Sequence, residues 1–117
     1  MVHVALAVRD RERSRRFYET YFGFDASTAS VEEDGTLLLE GPGDVLLALA
    51  ETDEAIDLPA FLHFGFASAD TADEVRAFRD RLERDGVEIV DFDEEPDYVS
   101  VKCRDPDGYV IQFSWEP

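Results

Sequence analysis

Two histidines, one lysine, one cysteine and one glutamine are the side chains in this sequence best suited to chemistry. His3 and His63 are its only imidazoles, groups that can carry a proton near neutral pH, accept a hydrogen bond or bind a metal ion. Each opens a short run that alternates like a β-strand and ends in aspartate: His3-Val-Ala-Leu-Ala-Val-Arg-Asp10 and His63-Phe-Gly-Phe-Ala-Ser-Ala-Asp70. Strand side chains point to alternate faces. Val4, Leu6 and Val8 form one face of the first run, with His3, Ala5 and Ala7 on the other. In the second run Phe64 and Phe66 oppose His63, Gly65 and Ala67. Both histidines thus share a face with small residues, which suits the floor of a cavity better than a packed core.

The same alternation places other groups beside them. Near the C-terminus Ile111, Phe113 and Trp115 read as core-facing, leaving Val110, Gln112 and Ser114 toward the cavity. Tyr98, Ser100 and Lys102 line it from the preceding strand, and Leu38 and Leu46 from the first half of the chain. Leu38, Leu46, Tyr98, Ser100 and Lys102 are therefore the expected substrate-binding residues. Lys102 is the chain's single lysine. It can hold an anionic ligand group, pair with Glu40 across the sheet, or stay solvated. Cys103 alternates onto the core side, where a thiol is inert.

These positions are held by a repeated set of elements. Asp10 and Asp70 each precede a helical pattern and read as N-caps. Phe17, Tyr18, Tyr21 and Phe22 stripe the first helix before Gly23. Val75, Phe78 and Leu82 stripe the second before Gly86. Three strand-like runs follow each helix, near 24–31, 35–40 and 44–50, and again near 87–93, 97–104 and 108–115. Gly41-Pro42-Gly43-Asp44 and Asp105-Pro106-Asp107-Gly108 are the turns before each last strand. The expected fold is α+β: two tandem βαβββ modules, with curved mixed sheets around a cup-shaped cavity and helices outside. Residues 1–117 form a single domain, with module one at about 1–50, a linker at about 51–60 and module two at about 61–117.

Composition narrows the function. Twenty-eight acidic residues against 11 basic ones give a net charge of −17, which argues against nucleic acid as a partner. No apolar run approaches the roughly 20 residues of a membrane span, so the expectation is a cytoplasmic protein that does not engage membranes. A single cysteine excludes an internal disulfide. Acids spread along the whole chain, and arginine in place of lysine, resemble the cytosolic proteins of halophilic archaea. Concentrated salt would screen such a surface.

The doubled module, the opening HVALAVRDRERSRRFYETYFGF, the segment HFGFASADTADEVRAFRDRLERDGVEIV and the closing RDPDGYVIQF resemble the vicinal oxygen chelate superfamily. That superfamily contains glyoxalases, fosfomycin-resistance transferases, extradiol dioxygenases and bleomycin-resistance proteins. The resemblance spans essentially the whole chain. It implies a divalent metal (Zn, Ni, Mn or Fe) in the cup, with ligands at the positions of His3, Ala48, His63 and Gln112. Alanine cannot serve, and glutamine replaces a usual glutamate, so the implied site is His3, His63 and Gln112 only. The two missing carboxylates also argue against glyoxalase I chemistry, which uses a metal-bound glutamate as base. Two readings stay open: a metal-assisted lyase, transferase or oxygenase, or a metal-free small-molecule binder of the bleomycin-resistance type. Members often pair modules between chains, and Tyr18, Tyr21 and Phe22 offer aromatic surface to bury, so a homodimer is expected.

Overall fold

A computed structural model describes residues 1–117. It divides into two compact units, Met1–Asp57 and Leu58–Pro117. The first contains β1 (Val2–Val8), α1 (Arg11–Tyr21), β2 (Asp25–Val31), β3 (Leu37–Gly41) and β4 (Val45–Glu51). The second contains β5 (His63–Phe64), α2 (Ala72–Arg84), β6 (Ile89–Glu95), β7 (Tyr98–Arg104) and β8 (Val110–Trp115). Each unit is one four-stranded mixed sheet, ordered β1-β4-β3-β2 or β5-β8-β7-β6, with the unit's first strand at one edge and paired in parallel with its last. Two helices and two open, curved sheets make the α+β fold that the repeats predict.

The core of each unit lies between sheet and helix. In the first unit Leu6, Val8, Leu37, Leu39, Val45, Leu47 and Leu49 are buried, together with Tyr18 of α1 and Phe24. In the second Val99, Val101, Cys103 and Ile111 are buried with Val75 and Leu82 of α2, and Phe78 stacks on Phe113 at 5.2 Å. Tyr18 is fully buried and in edge contact with Phe17 and Phe24, so it is a core residue and not exposed surface for a partner chain.

Helix starts follow from side-chain oxygens that satisfy otherwise unpaired N–H groups. The Asp10 carboxylate accepts from the backbone of Glu12 and Arg13 at 3.0 and 3.2 Å. In α2 the cap is Thr71, not Asp70: Thr71 Oγ1 accepts from the Glu74 N–H at 3.2 Å. The reason lies in the strand before it. His63 and Phe64 face Val110 and Ile111, whereas Ser68 faces Ser114. Four steps of the leading segment are matched by three of β8, so one extra residue is accommodated there, as in a bulge. In β1 no such step occurs, because Val2 to Val8 face Val45 to Glu51 one for one. Beyond the extra residue the repeat spacing rises by one, and Asp10 corresponds to Thr71.

Candidate functional site

Within each unit the strand pairing puts the singled-out residues on the sheet face away from the helix. In the first unit His3 sits beside Leu46, which sits beside Glu40; Ala5 sits beside Ala48, which sits beside Leu38. His3 is exposed, Leu38 and Leu46 are half-buried, and Ala48 is buried. This face is apolar apart from one imidazole and a carboxylate at its edge.

The second unit carries the equivalent rows with different chemistry. His63, Val110 and Arg104 form one row, and Gln112, Lys102 and Asp91 the next, followed by Ser114, Ser100 and Asp93. A cleft of about 460 Å³ opens here, lined by the segment from His63 to Ser68 and by Gln112 and Ser114. Ser68 enters it because the extra residue after Phe64 turns it toward Ser114. Constant repeat spacing hides that residue, and Gly65 inside a strand-like run is the signal for such a bulge.

Two polar groups of the cleft are held in fixed orientation. His63 Nδ1 lies 2.9 Å from the Phe61 carbonyl oxygen, to which it can only donate. The neutral ring therefore presents Nε2 as an acceptor. Gln112 Nε2 donates to Tyr98 Oη at 2.9 Å, which leaves Oε1 as a second acceptor. Ser100 is fully enclosed, and its Oγ has no partner.

Lys102 does not line this cleft. Its Nζ lies 3.5 Å from Asp91 Oδ2, so its ion-pair partner is a neighbour on β6 and not Glu40. Phe92 lies on the helix side of β6, under the Arg79 guanidinium at 4.3 Å. The Asp105-Pro106-Asp107-Gly108 turn has a structural task. The buried Asp105 carboxylate accepts from the backbone of Asp107 and Tyr109 at 2.9 Å each, and Gly108 takes φ +96°, which glycine adopts readily.

Cys103 is buried, and burial, with the Asp105 charge adding to it, pushes its thiol up to about 12. At pH 8 only about one thiol in 10⁴ would be ionised. Iodoacetamide is therefore expected to leave the folded protein unlabelled while labelling it fully in denaturant. Rapid labelling of the native chain, followed by mass spectrometry, would contradict this burial.

The donor set tests whether a metal fits. No group of three or more His, Cys, Asp or Glu side chains is arranged to hold one. The second unit offers one imidazole nitrogen and one amide oxygen; the first offers one imidazole, with Ala48 where a carboxylate would be needed. Catalytic zinc sites use three protein ligands, and harder cations favour carboxylate oxygens. These residues do not fit a firmly held divalent ion.

Comparison with known proteins places this architecture. Curated proteins give no match. Among solved structures, a glyoxylase/bleomycin resistance protein/dioxygenase domain from Frankia sp. EAN1pec is similar over 100% of this chain and 97% of its own, at 22% identity and a TM-score of 0.79. A possible glyoxalase from Bacillus cereus is 25% identical, covering 97% of this chain and 96% of its own, with a TM-score of 0.76. The fosfomycin resistance protein FosX from Listeria monocytogenes is 17% identical, covering 97% and 90%, with a TM-score of 0.79. The sequence profile of the Glyoxalase/Bleomycin resistance protein/Dioxygenase superfamily matches residues 1–113, so the chain belongs to that superfamily.

Proposed function

We propose that this protein is a small-molecule-binding member of the superfamily whose second-unit cleft grips a neutral ligand by hydrogen bonds, without a firmly bound metal. The observation that carries this reading is the pair of oriented acceptors, His63 Nε2 and Gln112 Oε1, in a cleft that also holds the Ser68 and Ser114 hydroxyls. Such a set suits a ligand with adjacent O–H or N–H donors. Phe64 and Phe66, whose rings lie 5.5 Å apart, belong to the same lining segment.

Catechol, with two adjacent hydroxyls on one ring, is the probe. Titrated into labelled protein in the presence of a chelator, it is expected to shift the amide signals of His63, Gln112 and Ser114 saturably. Gln112→Leu and His63→Phe should each weaken binding by about tenfold, the worth of one well-made hydrogen bond in a desolvated site. Binding that appears only on adding metal, or shifts confined to other residues, would overturn the reading.

A second reading, a metal-assisted lyase, transferase or oxygenase, is favoured by one observation. A histidine that donates Nδ1–H to a carbonyl presents Nε2 as metal-ligating histidines do. A FosX variant from Listeria monocytogenes is solved with Mn(II) and a dihydroxypropylphosphonic acid. We further read the charge of −17 as an adaptation to concentrated salt, and a homodimer as the working assembly.

A further inference from the structure

A second recess of about 210 Å³ lies in the same unit and shares His63 with the cleft. Its walls are of two kinds. Phe61, Leu62, Val90 and Val110 supply apolar surface, and Lys102 and Arg104 supply charge. The chain exposes six large hydrophobic side chains, and three of them gather here: Phe61 at 84%, Leu62 at 45% and Val90 at 40%. The chain's only lysine faces the same recess, although acids outnumber bases 28 to 11 and would line most surfaces by chance.

We propose that this recess is a binding site for an apolar carboxylate, an aromatic acid small enough to seat its ring against Phe61 and Leu62 and its carboxylate between Lys102 and Arg104.

The cations have hydrogen-bonding capacity to spare. Arg104 spends Nε on Glu88 at 2.8 Å and Nη1 on the Gly108 carbonyl at 3.0 Å, leaving Nη2 unspent. The Lys102–Asp91 separation of 3.5 Å exceeds the roughly 2.7–2.9 Å of a strong charge-assisted bond, so the ammonium is loosely held. Asp91 is the only acid among the lining residues. Lys102 and Arg104 are two positions apart on β7 and share a face, which separates their Cα atoms by about 7 Å. Long side chains converging from that spacing can each reach one oxygen of a carboxylate. The volume equals about seven waters at roughly 30 Å³ each, room for a single ring with a short acidic group. The overall charge of −17 repels anions from the surface at large, so saturable binding of one anion has to come from a local arrangement such as this.

Benzoate is the probe, titrated into the labelled full-length chain and followed by amide shifts. The expected result is saturable shifts confined to residues 60–63, 90–91 and 102–104. Benzamide, with the same shape and no charge, should bind at least tenfold more weakly. Lys102→Gln and Arg104→Gln should each weaken benzoate by a similar factor, roughly the loss of one charge-assisted contact. The benzamide comparison needs no variant, so it decides the matter even if one of these fails to fold. Absence of benzoate binding, equal binding of benzamide, or shifts centred on Gln112 and Ser114 would each overturn the proposal. Gln112 and Ser114 line only the cleft, so the benzoate and catechol titrations succeed or fail separately.

Discussion

Gly65→Ala is expected to destabilise the fold by about 1–3 kcal/mol, the usual cost of forcing an extra methyl group into filled space, and to abolish catechol binding in the cleft. A Cβ at this position would lie 2.6 Å from the backbone carbonyl oxygen of Gln112. The obstructing atom belongs to β8, a strand paired on both sides, so it cannot swing aside as the end of a flexible side chain could. The leading segment has to move instead. Only His63 and Phe64 form ladder pairs before this point, so little resists that movement. Displacing the segment carries His63 Nε2 away from Gln112 Oε1, and the two acceptors no longer serve one ligand. Urea denaturation and the catechol titration measure the two effects. A variant with unchanged stability and unchanged binding would show that the segment and β8 are not in close contact.

Most of the fold is legible in the sequence because its signals are local and occur twice. The two Pro-containing turns, the two helix stripes and the alternation of bulky and small residues in β1 and β8 each report a physical requirement of one element. The repeat spacings also reproduce the pairing. A step of 60 in the first strand and 64 in the last carries the His3–Leu46 pair onto His63–Val110. Legibility fails where the copies differ by one residue. The extra residue between Phe64 and Ser68 moves the α2 cap from Asp70 to Thr71 and brings Ser68 into the cleft. A fixed period cannot express that, although Thr71 and Glu74 have the spacing of a capping box.

The candidate site was harder to read, because side-chain partnerships depend on neighbouring strands. Alternation puts Tyr98, Ser100, Lys102 and Gln112 on one face, and they do share it. It does not reveal that Tyr98 fixes the Gln112 amide, that Ser100 is sealed in, or that Lys102 turns to Asp91 and a separate recess. The aromatic stripe of α1 misleads in a similar way. Periodicity marks Tyr18, Tyr21 and Phe22 as one apolar face, but only packing shows that Tyr18 is fully enclosed.

The largest gain of function is expected from Gln112→Glu. Position 112 and His63 line one cleft, so the change sets a carboxylate near an imidazole whose Nε2 lone pair is already presented. An anionic oxygen is a far better ligand for a divalent cation than a neutral amide oxygen, because it offsets the ion's charge. Calorimetric titration of Zn²⁺, Mn²⁺ and Ni²⁺ into wild type, Gln112→Glu and Gln112→Glu/His63→Ala, all in the same salt, is the most direct test of the proposal that the second-unit cleft works without a firmly bound metal. The triple comparison matters because 28 carboxylates bind cations diffusely, and the His63→Ala background measures that contribution. The account predicts that wild type binds no more tightly than this background, that Gln112→Glu gains at least tenfold, about 1.4 kcal/mol, and that removing His63 cancels the gain. Wild-type protein that takes up one metal ion per chain with micromolar affinity or better, and loses it on His63→Ala, would contradict the account.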